Sequence, residues 1–366
     1  MVIVCAGATP AKQHPPLDPE EVVLGIDTHR DAHVAAAVST TGQVLAVQSF
    51  PATAAGYREL AQWAGQLGVV RRAGVEGAGS YGAALSRYLL SRGFVVYEAP
   101  GPDRAARRRH GKSDRRDAEA AARVVLSGRA RSCPKAGNGP LEIARMYKAA
   151  RDSAVKASTQ ATNQLKAILV TADPALREEL MSLKRRALIR ACARLSEDDG
   201  AADPVLQATR FTLCALAQRI EQLLVQAQGL QQRLSALIER HYPELLGAIG
   251  VGPESAAVLL ITIGDNAQRM RGEASFAALC GASPVEYSSG SRCHRRLNRG
   301  GNRQANAALY RIVLTRLRWD PRTQAYYERR VAEGKTRREI IRCLKRYVAR
   351  EVYRLIERQR QGPGCS

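Results

Sequence analysis

Four acidic side chains in the first third of the sequence have the types and spacing of a metal-binding carboxylate set. Asp27 and Glu76 each end a segment with the pattern of a β-strand, whereas Asp114 and Asp117 lie three residues apart in a helical pattern. Residues i and i+3 share one face of a helix, so the strand ends and this face can converge. Mg²⁺ prefers carboxylate oxygens, and metal ions assist phosphoryl transfer in such sites. We therefore predict that these four residues hold Mg²⁺.

A glycine-rich segment after the second of these acids allows another interpretation. Gly77, Gly79 and Gly82 have the spacing G-x-G-x-x-G, and Glu98 follows about twenty residues on, as in dinucleotide-binding folds. The strand before such a motif is normally buried and continuously apolar, whereas residues 71–76 (RRAGVE) contain one good strand former. The sequence therefore favours the carboxylate set, and cofactor retention during purification would test the dinucleotide alternative.

Basic residues are abundant in the whole chain and cluster beside the acidic helix. The 366 residues contain 56 Lys and Arg against 34 Asp and Glu, which gives a net charge of +22. Because arginine pairs bidentately with phosphate, this surplus indicates a nucleic-acid partner. The residues near the acidic helix that we expect to contact a phosphate backbone are Arg104, Arg107, Arg108, Arg109 and Lys112.

The elements that must position the acids follow from the hydrophobic pattern. After a proline-rich leader at 1–20, predicted to be disordered, strand and helix patterns alternate as in an α/β domain, to which we assign residues 21–135. Its predicted strands cover 22–27, 33–38, 44–50, a weak segment ending at residue 76, and 94–99. Its predicted helices lie near 56–67 and 81–92.

The next region, residues 136–242, has the composition of long helices, with few glycines and prolines. A hydrophobic seam of about three heptads runs along it. The seam consists of Leu216, Ile220, Leu223, Ala227, Leu230, Leu234 and Leu237. The seam suits a helical hairpin within one chain and a coiled-coil dimer equally well. We name residues 136–242 a helical, coiled-coil oligomerisation region and leave both alternatives open.

Residues 243–358 are predicted to form a mainly α-helical domain. Its segment 245–264 has two apolar stretches around a Gly-Val-Gly-Pro turn and resembles a helix-hairpin-helix, whose turn amides can hold a DNA phosphate. A polar loop at 281–303 leads into arginine-rich helices, and Arg337, Arg338, Arg342, Lys345 and Arg346 repeat at helical spacing as a predicted phosphate-binding face. Residues 359–366 are predicted to be a loose tail.

Cysteine spacing and hydropathy exclude several classes of protein. The eight cysteines are scattered without a C-x-x-C pair, which argues against a zinc module and a disulfide framework. No run of eighteen uncharged apolar residues is present, so we expect no membrane association and a reduced, cytoplasmic protein.

Three motifs together resemble one known family. GIDTHRDAHVAAAV, VEGAGSYGAALSRYLLSRGFVVYEA and RRRHGKSDRRDAEAAA are similar to the amino-terminal half of the insertion-sequence one-ten family of DEDD transposases. The segments IGVGPESAAVLLITIGD and CGASPVEYSSGSRCHRRLNRGGNRQANAALYR are similar to its carboxy-terminal transposase domain. The resemblance covers about 22–355 and implies a RuvC-like fold of the ribonuclease H class for the first domain. It maps the acidic tetrad of the family onto the four carboxylates above.

The resemblance also implies a serine nucleophile directly before a glycine, which is Ser289 before Gly290 in this chain. Its neighbours Ser288 and Ser291 are alternatives by position. Positive charge around this loop suits it to hold a phosphate and to ease deprotonation of the serine. The basic residues concerned are Arg292, Arg295, Arg296, Arg299 and Arg303.

By this resemblance, the chain is expected to be a DNA transposase or site-specific recombinase of a bacterial insertion sequence. It would cleave and exchange DNA strands with Mg²⁺ through a covalent phosphoserine, guided by a non-coding bridge RNA, as dimers that pair into tetramers. One alternative is a metal-dependent Holliday-junction endonuclease that hydrolyses DNA, with Ser289 structural. Another is a non-catalytic nucleic-acid-binding protein whose carboxylates bind no metal.

Overall fold

The computed structural model describes residues 21–101, 113–130, 132–195, 203–266, 269–290 and 295–361. The chain divides after Gly137 into two compact units, which we describe separately. The predicted leader 1–20 lies outside the described residues, as does most of the predicted tail.

The first unit is built on a five-stranded mixed sheet. β1 (Glu21–Thr28), β2 (Ala32–Ser39) and β3 (Val44–Pro51) form an antiparallel meander, and β4 (Val69–Glu76) and β5 (Val95–Ala99) follow in parallel to β1. The strand order is β3-β2-β1-β4-β5. This mixed sheet with flanking helices fits the ribonuclease H-like domain that the sequence predicts.

Helices cover both faces of this sheet. α1 (Ala54–Leu67) and α2 (Ala83–Ser91) pack on one face, where their buried leucines meet the side chains of Leu24 and Ile26 in one apolar core. α3 (Asp114–Leu126) packs on the other face, against Val23 and Val38. Because successive strand residues point to opposite faces, β1 is buried along its whole length between these two layers.

A pair of long helices opens the second unit. α4 (Pro140–Val170) and α7 (Pro204–His241) run antiparallel, since the start of α4 shares a core with the end of α7 and the reverse holds at the other end. Ile220, Ala227 and Leu234 of the predicted seam are buried in this pair. The seam therefore packs within one chain. α5 (Pro174–Met181) and α6 (Arg185–Cys192) pack against the end of the pair where α4 ends and α7 begins.

The rest of the second unit is mainly helical. Its helices are α8 (Pro243–Leu246), α9 (Pro253–Ile263), α10 (Glu273–Leu279), α11 (Arg303–Trp319), α12 (Pro321–Ala332) and α13 (Arg337–Gln361). Within the polar loop predicted at 281–303, the short strands β6 (Pro284–Glu286) and β7 (Arg295–Leu297) pair as a hairpin.

Two details differ from the sequence-based expectations. Before the Gly-Val-Gly-Pro turn lies only α8, a helix of four residues, and after the turn lies the longer α9. A helix-hairpin-helix is therefore not confirmed. α13 continues to Gln361, three residues into the segment predicted to be a loose tail. The carboxamide of Asn302 caps α11 by accepting from Gln304 N and Ala305 N. No described helix is long and apolar enough to cross a membrane.

Candidate metal centre and serine loop

Two glycines set the position of the helix that carries half of the predicted acids. Gly25 of β1 and Gly74 of β4 are register partners in the sheet. A Cβ atom on Gly25 would lie 1.9 Å from the carbonyl oxygen of Ala118, and one on Gly74 would lie 2.6 Å from that of Ala121. The backbone of α3 therefore packs directly on the sheet, which a side chain at either glycine would prevent.

The close packing of α3 brings its first turn to the end of β1. Asp27 is 5% exposed, and its Oδ2 lies 3.1 Å from Nε2 of His29. The same Nε2 lies 3.3 Å from Oδ1 of Asp114. One ligand atom each from Asp27, His29 and Asp114 lie within 4.8 Å of one another. Among the described residues, these three side chains are the group close enough together to share a metal ion.

The other two predicted acids lie nearby but outside this group. Asp117 is buried on the same face of α3 and interacts electrostatically with Asp27. Glu76 ends β4, directly after Val75, the register partner of Ile26, so it adjoins Asp27 at the carboxyl edge of the parallel strands. The Thr28 hydroxyl donates to the backbone carbonyl of Glu76 at 2.7 Å, which ties the two strand ends together.

The electrostatics of this cluster suit a cation. Burial raises the pKa of Asp27, the adjacent His29 opposes this shift, and the negative charges of Asp114 and Asp117 add to it. Desolvated carboxylates that repel one another gain from a divalent cation, and oxygen donors with one imidazole nitrogen are a ligand set that such cations accept. The donor chemistry of the cluster therefore fits the metal implied by a DEDD domain.

His29 is a member of the cluster that sequence reasoning did not assign. The available signal was its position two residues after Asp27, directly after the end of the same strand. His33, also close in sequence, is fully buried and stacks on Tyr57 of α1, with ring centroids 5.7 Å apart. It thus points to the face of the sheet opposite α3 and does not line the cluster.

The glycine-rich segment after β4 has a packing role. Gly77 has φ +67°, a left-handed conformation that favours glycine at the turn out of the strand. A Cβ on Gly82 would lie 2.8 Å from a methyl group of Val75, so glycine allows α2 to begin close to β4. Moreover, β2 runs antiparallel to β1, unlike the parallel unit that binds dinucleotides.

An open cavity of about 480 Å³ adjoins the acidic cluster. His29 and Asp114 form part of its lining, together with Arg30 and Tyr81. Tyr81 is exposed and follows the glycine turn. The cavity therefore offers a cation, an aromatic ring and two candidate metal ligands to one bound molecule.

The predicted serine nucleophile lies in the second unit. Ser289 and its neighbour Ser288 are exposed in the loop after β6, and the following Gly290 has φ +58°. The left-handed glycine turns the chain sharply at the serine. The guanidinium of Arg296, also exposed, lies over the ring of Tyr287 at 5.8 Å from its centroid.

The predicted phosphate contacts are only partly described. Arg299 and Arg303 are exposed, as expected for residues that contact a ligand. Of the other predicted contacts, some fall outside the described residues and side chains. These are Arg104, Arg107, Arg108, Arg109, Lys112, Arg292 and the side chain of Arg295. The alternative nucleophile Ser291 also lies outside them.

Comparisons with known proteins agree with both units. A model of the DEDD transposases of the IS110 family, described as "Transposase", matches residues 24–174, a range that contains all four predicted acids. A second, described as "Transposase IS116/IS110/IS902 family", matches residues 243–328, which include Ser289.

A curated protein of Streptomyces coelicolor, "Insertion element IS110 uncharacterized 43.6 kDa protein", is 35% identical to the chain over 135 residues. The match covers 36% of this chain and 33% of that protein, so the chain spans about a third of the length of the curated relative it matches. Because two models of one family match in the expected order and a relative of the same insertion element agrees with them, the chain belongs to the IS110 family of transposases.

Proposed function

We propose that this protein is a DNA transposase, a recombinase that cuts and exchanges DNA strands with the help of Mg²⁺. The observation that carries the proposal is the meeting of Asp27 and Asp114, from a strand end and a helix far apart in sequence, beside Asp117 and Glu76. In a family of transposases, such an acidic cluster is a centre for phosphoryl transfer.

Asp27, Asp114, Asp117 and Glu76 are the residues that would hold the metal through carboxylate oxygens, the donors that Mg²⁺ prefers, and His29 contacts two of them. Bound there, Mg²⁺ neutralises charge on a phosphate and favours its attack by a nucleophile. The chain itself supplies the rigid frame: α3 is seated on Gly25 and Gly74, and the strand ends are held by the Thr28 hydrogen bond. Such a frame keeps carboxylates in place without reorganisation during the reaction.

In the proposed reaction, Ser289 attacks a DNA phosphodiester. A bond forms between its Oγ and phosphorus, the bond from phosphorus to one deoxyribose oxygen breaks, and the proton of the serine ends on the released hydroxyl. Attack by a hydroxyl of another strand end on the phosphoserine reverses these changes and joins new partners. The exposed position of Ser289 before the left-handed Gly290 supports this role, since DNA must reach the hydroxyl.

The partners are nucleic acids and further copies of the chain. The net charge of +22 supports binding to the DNA of the element ends and target, and to a non-coding bridge RNA that selects them. As the resemblance to the family implies, we propose that a dimer, and a tetramer on DNA, combines the acids of one copy with the serine of another. Since the predicted seam packs within one chain, assembly would use other faces of the helical region 136–242, and the reaction would occur in the cytoplasm.

The test is to trap the protein on duplex DNA carrying the element ends, with bridge RNA and Mg²⁺, and to identify the modified residue by mass spectrometry. We expect a nucleotide on Ser289. Ser289→Ala should abolish the adduct, and the matched Ser288→Ala variant should keep it. Asp27→Asn should abolish cleavage while DNA binding in EDTA persists. Cleavage by Ser289→Ala at the wild-type rate would instead show hydrolysis, and an adduct on another residue would refute the assignment.

A further inference from the structure

A second cavity, in the second unit, has an unusually basic lining. It has a volume of about 440 Å³ and lies between the base of the β6–β7 hairpin and α13. Seven of its lining residues are Arg or Lys, and Glu339 is the single acid among them. We call this cavity the hairpin-base pocket. The residues that matter below are Arg296, Arg330, Lys335, Arg342, Lys345 and Arg346.

Among the described residues, the carboxylates around this pocket are fewer than its seven cations. Glu333 pairs with Nη1 of Arg330. The carboxylate of Glu273 is shared by Arg346 and Arg350, at 3.2 and 3.1 Å. Glu339 accepts from the backbone nitrogen and hydroxyl of Thr336 at 2.9 and 2.8 Å, as a capping residue of α13. Within the part of the chain that the structure describes, Nε of Arg330 and Nη1 of Arg346 are buried and donate to no acceptor. Unsatisfied buried donors of charged groups are costly, and the lining carries seven cations against one acid, so the positive charge of the pocket favours an added anion.

Lys345 adds a buried charge to the floor of the pocket. Its side chain is 7% exposed, and Nζ donates to the amide oxygen of Asn306 at 2.9 Å, a neutral partner. Burial lowers the pKa of Lys345, and the nearby positive charge of Arg342 lowers it further. A bound anion would offset both effects.

We propose that the hairpin-base pocket binds a phosphate of a nucleic-acid backbone. The hairpin that forms one wall of the pocket, through Ser283, Pro284 and Arg296, also carries the serine loop. A strand anchored in the pocket is therefore held by the same hairpin that presents Ser289. The identification of the anion as a phosphodiester rests on the proposed function, and DNA and RNA share that chemistry.

The experiment measures binding of the full chain in EDTA, where metal-dependent cleavage cannot occur. Fluorescence anisotropy with a labelled 30-nucleotide DNA duplex and with a single-stranded RNA of the same sequence would serve as two separate probes. Arg342→Ala should lower affinity about fivefold, and Lys335→Ala with Arg342→Ala should lower it more and reduce the magnitude of the slope of log K against log salt by about 0.9 for the DNA duplex, the value for one phosphate. Both residues are exposed, so their removal should leave the fold intact.

Arg358→Ala is the matched control, because Arg358 is exposed on the same helix but does not line the pocket. It should bind both probes almost as the wild type does, and Arg342→Lys should restore most of the lost affinity. A loss for DNA alone or for RNA alone assigns the pocket to that nucleic acid. If the double variant binds both probes no more weakly than Arg358→Ala, the pocket proposal is wrong. That result would leave the proposed function standing, since the adduct on Ser289 is tested separately.

Discussion

Replacing Gly25 by alanine should separate the acids without removing any of them. The new Cβ would lie 1.9 Å from the Ala118 carbonyl oxygen and 2.3 Å from the Ala122 nitrogen, whereas ordinary contact begins at 3.4 Å. α3 must therefore move from β1 by about 1.5 Å at this point, since both opposing atoms belong to its backbone. A misplacement of about 1 Å in a catalytic group costs about 10²-fold in rate, and overpacking costs about 1–3 kcal/mol of stability.

Strand cleavage of end-bearing DNA and thermal unfolding by circular dichroism measure the two effects. We expect Gly25→Ala to lose at least about 100-fold in cleavage rate and to unfold at a lower temperature. Gly65→Ala is the matched control, because Gly65 is exposed in α1 and a Cβ added there would have nothing within 4 Å. This control should keep full activity and gain about 0.5–1 kcal/mol, since alanine favours a helix over glycine. If Gly25→Ala cleaves DNA and unfolds as the wild type does, the proposal that Gly25 sets the position of α3 is wrong.

Three further predictions concern the stability of the second unit. Glu254→Gln should lower the free energy of unfolding by about 0.5–1 kcal/mol in urea titrations, because Nη2 of Arg151 lies 2.9 Å from its Oε2 and loses one of two charged partners, the other being Asp152. Burial raises the pKa of Asp152, but hydrogen bonds from Lys148 and Arg151 outweigh it and hold the pKa below its usual range. Its ionised form therefore stabilises the fold above about pH 4, and this contribution is lost as pH falls through the lowered pKa. Asp152→Asn should therefore lose less thermal stability on acidification than the wild type. Asp320→Ala should cost about 1 kcal/mol in the same urea assay, because its carboxylate caps α12, and an unchanged midpoint would contradict that role.

The first unit could be predicted well from the sequence because its signals are local. Short apolar runs in 22–27 and 33–38 predicted β1 and β2, and the spacing of Asp114 and Asp117 placed both on one helical face. The meeting of Asp27 with Asp114 followed from strand ends and one helix turn. The catalytic roles of the four acids and Ser289 remain predictions.

The remaining features depend on contacts between distant residues. That Gly25 and Gly74 form the surface on which α3 packs can be recognised only once the parallel register of β1 and β4 is known. His29 belongs to the cluster because the packing of α3 places Asp114 next to it. The two residues are distant in sequence, so no local sequence pattern predicts this contact. The hairpin of β6 and β7 has three residues in each strand, too few for alternation to show. The hairpin-base pocket joins this hairpin to α13, some fifty residues further along.

The antiparallel pair of α4 and α7 has a mechanical consequence. Apolar clusters occupy its two ends and have no side chain in common, and Ala144 and Ala161, which belong to one cluster each, are about 25 Å apart at 1.5 Å per residue. Between them, the helices meet partly through small side chains such as Ala154 and Ala227. Because both helices run without interruption between the two clusters, the ends of the pair are connected through helical backbone and not through one shared core.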